Sequence, residues 1–248
     1  MNLIASLILR NERHRYVDLV IDHLLEFCDS VCVLDDGSSD GWRDRRQRVK
    51  TLRNPPRDGD AFVNHAQMRQ RLLDFTLESA PTWIVNVDAD EFITDGQLLR
   101  KTAESLDYAG ALKVCLQEVW KVRAEGLDIR QDGGWVEHDV GLVWRPDRLK
   151  PNQLKIADRG HATGRTPDAV GSLPSSHSCS ALLHLGWANV GERDERYARY
   201  AVGDAGKYHA KAHIDSIMWP DERVKLQSSA WPAALGPWRA ELVKRANR

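Results

Sequence analysis

The chain has 248 residues, of which 42% are hydrophobic and 29% are charged, which is enough apolar material for one substantial globular core. Its 35 basic and 36 acidic residues leave a formal net charge of -1, which excludes a general attraction to nucleic acid or to an anionic membrane. No apolar run approaches the roughly 20 residues that span a bilayer, and we therefore expect a cytoplasmic protein.

The first hundred residues alternate between strand patterns and helix patterns. Apolar or β-branched runs predict four strands, at residues 3–9, 30–34, 49–52 and 82–87. Between and after these strands, helical spacing predicts helices at residues 16–27, 61–79 and 95–105. Residues 42–47 predict a helix or a turn. This order predicts an α/β fold with a mostly parallel sheet and helices on both faces.

The rest of the chain is less regular. Short strand patterns at 111–120, 137–144 and 181–185 predict a mixed or antiparallel extension of the sheet. A helical pattern at 192–202 then precedes a polar tail that predicts short carboxyl-terminal helices. We expect one domain over residues 1–248, with one half at 1–105 and the other at 106–248.

Polar groups follow three of the predicted strands. They are Arg10, Asn11 and Glu12 after the first strand, Asp35 and Asp36 after the second, and Asp88, Asp90 and Glu91 after the fourth. Ligands of parallel α/β sheets bind beyond the carboxyl ends of the strands. We therefore expect these side chains to converge on one crevice.

Two of these groups have a pattern that is typical of particular chemistry. Asp88 and Asp90 lie on the same side of an extended chain, because side chains alternate with period two, and paired carboxylates suit Mg²⁺ or Mn²⁺ carrying a diphosphate. The Asp35-Asp36-Gly37 turn offers acceptors for a nucleobase imide and for ribose hydroxyls. In isolation, the first pattern is also typical of solvated acids, and the second of an Asx turn or a helix cap.

Three motifs, LILRNE, VLDDGSSDG and WIVNVDADEF, occur in this order over residues 3–95. Together they resemble the family 2 glycosyltransferases of the glycosyltransferase-A fold. The similarity resumes at HLGW, residues 184–187, with Arg193, Arg196 and Tyr200 downstream. The resemblance implies that fold and an inverting enzyme. It also implies a nucleoside-diphosphate sugar as donor, foremost a UDP-sugar, and Mn²⁺ or Mg²⁺ as cofactor.

The resemblance also implies which residues bind the nucleotide. Asp36 would accept a hydrogen bond from the base, and Asp35 would line the same pocket. Arg10, Asn11 and Glu12 would complete that pocket from the first strand.

A second set of residues is implied for the metal and the diphosphate. Asp88 would lie near the ribose and the metal, Asp90 would bind the metal directly, and His184 would complete the metal site. Arg69 would face the diphosphate, although the MRQR sequence does not separate it from Arg71.

An inverting transfer needs a carboxylate base that removes the proton of the acceptor hydroxyl. Glu91 directly follows the metal motif, and Glu118 ends the next predicted strand, where relatives often place a base. Both remain open. The acceptor is open as well: a glycan, a protein, a lipid or a hydroxylated nucleobase in DNA, the last because the carboxyl-terminal region is locally basic.

Two other functions compete with this interpretation. A nucleotidyltransferase uses a similar sheet and paired acids, but it usually carries a glycine-rich loop after the first strand. The sequence here is RNERHR, without glycine, which argues against that class. The other alternative is a non-catalytic module that binds a nucleotide-sugar, and the intact Asp-x-Asp motif argues against it.

Overall fold

The computed structural model describes residues 1–56, 64–160, 163–204 and 209–248. Within these residues ten strands follow in chain order: β1 (Leu3–Leu9), β2 (Ser30–Asp35), β3 (Val49–Arg53), β4 (Trp83–Asn86), β5 (Glu91–Ile93), β6 (Ala111–Val122), β7 (Gly126–Arg130), β8 (His138–Trp144), β9 (Ser175–His184) and β10 (Leu226–Ala230). The same residues contain six α-helices: α1 (Val17–Leu25), α2 (His65–Leu77), α3 (Gly96–Ser105), α4 (Val190–Gly203), α5 (Lys211–Asp215) and α6 (Arg239–Ala246).

The chain forms two compact units, and each of them is discontinuous in sequence. Unit 1 consists of Met1–Ala89, Gly96–Val114 and Asp139–Ser180. Unit 2 consists of Asp90–Asp95, Cys115–His138 and Ala181–Arg248. Each unit therefore contains segments from before and after residue 105, and the division into two halves at that residue remains a prediction.

Unit 1 is built on a parallel sheet. Strand β1 pairs in parallel with β2 on one side and with β4 on the other, and β2 pairs in parallel with β3. Strand β8 adds an antiparallel neighbour to β4 through the pair Ile84 and Trp144. Six of the seven residues of β1 are buried, as expected for a strand that is covered on both faces. The carboxyl ends of β1, β2, β3 and β4 consequently share one edge of the sheet.

Helix α2 covers one face of this sheet. Its residues Met68 and Leu72 pack against Ile4 of β1 and against Cys32 and Leu34 of β2. A second apolar cluster joins the same helix to β4 and β8 through Leu73, Ile84 and Trp144. Since α2 also carries the arginines of the MRQR sequence, this packing sets the positions from which their side chains extend.

Unit 2 is antiparallel and rich in tryptophan. Strand β7 lies between β6 and β10, and β5 pairs with β9, in both cases antiparallel. Trp120, Trp135 and Trp187 form the centre of its core together with Ile214 and Ile217. Because indole rings bury a large apolar area, these three side chains supply much of the core of this unit.

The predicted fold class is confirmed: an α/β fold with a parallel core, antiparallel additions and helices at the carboxyl end. The sequence patterns did not predict three of these strands, β5, β7 and β10, and β9 begins earlier than predicted. The helix or turn predicted at 42–47 is irregular, because side-chain carboxylates accept backbone hydrogen bonds there, Asp40 from Trp42 and Asp44 from Arg46. Helix α2 begins at His65, and residues 61–63 of the predicted helix lie outside the described residues.

Among the described residues, no helix combines the length and the apolar character that crossing a membrane requires.

Candidate functional site

The turn after β2 is held by a buried carboxylate. Asp35 is 0% exposed; its Oδ1 accepts from the backbone N–H of Ser38 over 2.8 Å, and its Oδ2 lies 2.5 Å from a guanidinium nitrogen of Arg53. Gly37 has a φ of +71°, and a Cβ there would lie 2.4 Å from the carbonyl oxygen of Pro55. Asp35 therefore stabilises the turn, and its burial gives no support to the predicted contact with a nucleotide.

Asp36, the next residue, lines a cavity of about 280 Å³. Its Oδ1 accepts a hydrogen bond from Nδ2 of Asn54 over 2.9 Å, and Oδ1 of Asn54 in turn accepts from Nη1 of Arg71. Asp36 follows β2, Asn54 follows β3, and Arg71 extends from α2. The other lining residues are Pro55, Pro56, Asn64, Gln67 and Met68. The cavity thus combines a carboxylate, an amide and a guanidinium, which offer acceptors and donors to a polar ring.

The segment after β1 is tied to the turn after β2. Oδ1 of Asn11 accepts from the backbone N–H of Ser39 over 2.8 Å, and the backbone N–H of Asn11 donates to Oγ of Ser38 over 2.9 Å. Glu12 forms an ion pair with Arg15 at 3.4 Å. These contacts bring the predicted Arg10–Glu12 segment to the same edge of the sheet as Asp36, but the cavity is lined by other residues.

Asp88, after β4, lies between two arginines of unit 1. Its Oδ1 accepts from Nη2 of Arg69 over 3.0 Å, and its Oδ2 lies 2.9 Å from Nη2 of Arg165. Arg69 is 7% exposed and Asp88 is 32% exposed. Nε of Arg69 also donates to Nε2 of His65 over 3.2 Å. Arg69, which the resemblance assigns to the diphosphate, therefore lies in a charged cluster. Arg165 belongs to the same cluster, although no sequence pattern pointed to it.

Unit 2 contains the second half of the Asp-x-Asp motif. Nη2 of Arg196 lies 2.5 Å from Oδ2 of Asp90, and Nε2 of His184 lies 3.5 Å from Oδ1. The other ring nitrogen of His184, Nδ1, is 2.6 Å from Oε2 of Glu118. The structure thus brings together Asp90, Glu118 and His184, which the sequence singled out, with Arg196, which the resemblance named without a role.

This cluster shifts the pKa of two of its members. Burial alone would lower the pKa of His184, but the negative charges of Glu118 and Asp90 outweigh burial and raise it well above 6.5. Burial alone would raise the pKa of Asp90, but Arg196 and His184 outweigh it and lower that pKa. At neutral pH the cluster therefore holds an imidazolium between two carboxylates.

The two candidate bases differ in their access to solvent. Glu91 lies on β5, opposite His184 of β9, and is 0% exposed. The side chain of Glu118 is 14% exposed. A base must reach the hydroxyl whose proton it removes, so the burial of these side chains favours Glu118.

The predicted metal ligands do not form a cation site in either unit. Within the described ranges, no group of three or more His, Cys, Asp or Glu side chains could hold a metal ion. Each oxygen of Asp88 faces a guanidinium, and each ring nitrogen of His184 lies against a carboxylate. This arrangement does not fit a divalent cation, and the requirement for Mn²⁺ or Mg²⁺ remains a prediction.

No protein-family model matches the chain, and no curated protein sequence matches it either. Among solved structures, it is similar to A197 from STIV, with 11% identity and a TM-score of 0.38 over 74% of this chain and 85% of the other. HddC from Yersinia pseudotuberculosis has 7% identity and a TM-score of 0.42, over 79% and 97%. A provisionally assigned glucose-1-phosphate thymidylyltransferase from Bacillus anthracis, solved with a sucrose, has 13% identity and a TM-score of 0.39, over 79% and 94%. Similarity this distant says nothing about activity, which has to be inferred from the residues of this chain.

Proposed function

We propose that this chain is an inverting glycosyltransferase that binds a nucleoside-diphosphate sugar, with a UDP-sugar as the first candidate. The observation that carries the proposal is the cavity at the carboxyl edge of the parallel strands. It is lined by Asp36, Asn54 and Arg71, and its volume is near the lower end of the range for small-molecule sites.

The chemistry of the cavity supports a nucleobase as the occupant. A carboxylate oxygen accepts from a ring N–H, and a guanidinium donates to a ring carbonyl. Uracil presents both groups side by side. Asp36 lines the cavity, and the amide of Asn54 fixes its orientation, so the acceptor is held in place before the base arrives.

In the transfer step a carboxylate base takes the proton of the acceptor hydroxyl while the hydroxyl oxygen attacks the anomeric carbon, and the bond from that carbon to the diphosphate oxygen breaks. Of the two candidate bases, Glu118 is the more accessible to solvent, with 14% of its side chain exposed. The products are the glycoside, with inverted configuration, and the nucleoside diphosphate. The contact with His184 fixes the orientation of the carboxylate of Glu118.

The first experiment is a thermal shift screen of the purified protein against UDP, GDP and CDP, each with EDTA and with Mn²⁺. A ligand that binds only the folded state raises the midpoint by mass action, so the screen names the base and tests the metal requirement together. A shift with one of the three nucleotides is expected. If none of them shifts the midpoint in either condition, the proposal is wrong.

A second experiment separates the alternatives that remained open. A glycosyltransferase releases a nucleoside diphosphate from a nucleotide-sugar, whereas a nucleotidyltransferase releases pyrophosphate from a nucleoside triphosphate and a sugar 1-phosphate. A protein that binds the nucleotide but releases neither product with any tested acceptor would be a binding module. Salt dependence then tests a DNA acceptor, because a flat response between low and physiological salt would remove that option.

A further inference from the structure

A second cavity, of about 420 Å³, is formed entirely by residues of unit 2. The segments around the end of β6, the start of α4 and the end of α6 line it, and its volume lies within the range of small-molecule sites. Its basic lining residues are Lys121, Arg123, Arg193 and Arg248, and no Asp or Glu is among the described residues that line it. The lining therefore favours an anion.

Arg193 is the buried cation of this cavity, since its side chain is only 7% exposed. Its Nε and Nη2 donate to the carbonyl oxygens of Trp187 and Trp120. The third nitrogen, Nη1, lies 3.8 Å from the carboxylate of Asp221, which is beyond hydrogen-bond distance, and it has no other acceptor among the described residues. Burial outweighs the attraction of Asp221 and lowers the pKa of Arg193 to about 10. The protein therefore compensates the buried charge only in part.

Two more accessible cations line the same cavity. Lys121 is 36% exposed and pairs with Asp221 at 2.6 Å. Arg123 is 42% exposed and pairs with Asp128 and, at 3.6 Å, with Glu125. None of these three carboxylates lines the cavity, and Asp221 is shared, because it is also the carboxylate nearest to the buried guanidinium. The cations thus border the cavity, whereas their partners do not.

We propose that this cavity binds a small molecule through its phosphate group. A phosphate monoester carries between one and two negative charges near neutral pH, and its oxygens match guanidinium and ammonium donors. Arg193 and Lys121 supply such donors. The N–H groups of Val190 and Gly191, at the start of α4, have no acceptor within the helix and add backbone donors. The inference does not depend on the nucleotide-sugar, because none of these residues lines the cavity around Asp36.

The apolar part of the lining favours a phosphate ester over the free ion. Val122, Ala188, Val190 and Ala246 also line the cavity, and 67% of Val190 is exposed. A carbon skeleton that covers these side chains would remove apolar surface from water. The phosphate would therefore meet the cations while the rest of the ligand packs against the apolar side chains.

The test is isothermal titration at constant ionic strength with phenyl phosphate, inorganic phosphate and acetate. We expect the wild-type protein to bind phenyl phosphate at least as tightly as inorganic phosphate, and acetate more weakly than either. Lys121→Met should weaken phenyl phosphate binding about tenfold to a hundredfold, the range for one charge-assisted hydrogen bond. The matched control is Lys211→Met, also in unit 2, since Lys211 pairs with Asp215 at 2.5 Å and does not line the cavity. It should bind within twofold of wild type.

Arg193 itself is left intact, because its bonds to the two tryptophan carbonyls also hold the core, and Arg123→Met replaces Lys121→Met if urea denaturation shows that the latter is unfolded. Asp36→Asn should bind phenyl phosphate as tightly as wild type, which separates this site from the proposed nucleotide cavity. The proposal is overturned if the wild-type protein binds neither phosphate, if acetate binds as tightly, or if the Lys121→Met and Lys211→Met proteins have equal affinities. Weaker binding of phenyl phosphate than of inorganic phosphate would overturn it as well.

Discussion

Asp36→Asn tests the nucleotide cavity with the smallest change of shape. Oδ1 of Asp36 accepts from Asn54 over 2.9 Å, and an asparagine oxygen can keep that bond. The substitution removes the charge and replaces the other oxygen by an NH₂ group, which cannot accept a hydrogen bond from a base N–H. It should therefore weaken ligand binding.

The expected magnitude follows from the kind of hydrogen bond that is lost. A hydrogen bond to a charged group contributes about 1.5–3 kcal/mol, and each 1.4 kcal/mol is about tenfold in affinity. The dissociation constant for the nucleoside diphosphate should rise about tenfold to a hundredfold. The free energy of unfolding is measured on the same protein, so that a loss of affinity is separated from a loss of stability.

Two measurements on the same protein check this reasoning: calorimetric titration for binding and urea denaturation for stability. The matched control is Asp74→Asn on α2, where the carboxylate is exposed and accepts from Gln70, and neither quantity should change. A folded Asp36→Asn protein that binds within twofold of wild type would refute the role of Asp36. A loss of affinity that merely follows a loss of stability would refute it too.

Three further predictions concern other parts of the chain. Arg53→Met leaves the carboxylate of Asp35, 0% exposed, without its cation, and should lower the free energy of unfolding in urea by about 3–5 kcal/mol. Asp90→Ala removes the buried carboxylate that pairs with Arg196 and His184, and should lower the free energy of unfolding in urea by about 3–5 kcal/mol; an unchanged midpoint would contradict this. Burial, with repulsion from a nearby histidine and arginine, lowers the pKa of His213. The unfolded chain therefore takes up a proton near pH 6.5 that the folded chain does not, and stability should fall below that pH. His213→Gln should flatten this dependence, whereas His138→Gln, at an exposed position, should not.

The parallel core could be predicted because its strands are covered on both faces. Such strands are continuous apolar runs, and the run at residues 3–9 coincides with β1. Strand β10 could not be predicted, because its sequence is LQSSA and four of its five residues are exposed. It pairs with β7, where a Cβ on Gly126 would lie 2.3 Å from the carbonyl oxygen of Ser229. That pairing depends on the absence of a side chain at a distant position, which no local pattern records.

Only those site residues that follow the ends of strands could be predicted from the sequence. Asp36 and Asp88 come directly after strands, so their position at the edge of the sheet follows from chain order. Their partners Asn54 and Arg165 come from other segments, and only the folded chain brings them close. Helix geometry does explain one ambiguity of the sequence. Arg69 and Arg71 are two residues apart, about 200° around α2, so they extend in different directions, one to Asp88 and the other to Asn54.

The HLGW motif and two arginines of α4, Arg193 and Arg196, form one packing arrangement around Asp90. A Cβ on Gly186 would lie 2.6 Å from Nε2 of His184 and 2.7 Å from Nη1 of Arg196, so only glycine lets both side chains approach the carboxylate. Arg193, one turn earlier on the helix, donates to the carbonyl oxygens of Trp187 and Trp120, and this fixes α4 to the tryptophan core. Because residues three apart lie on the same face of a helix, fixing Arg193 also aims Arg196 at Asp90. The spacing of the motif is thus explained by the need to hold two cations against one buried carboxylate.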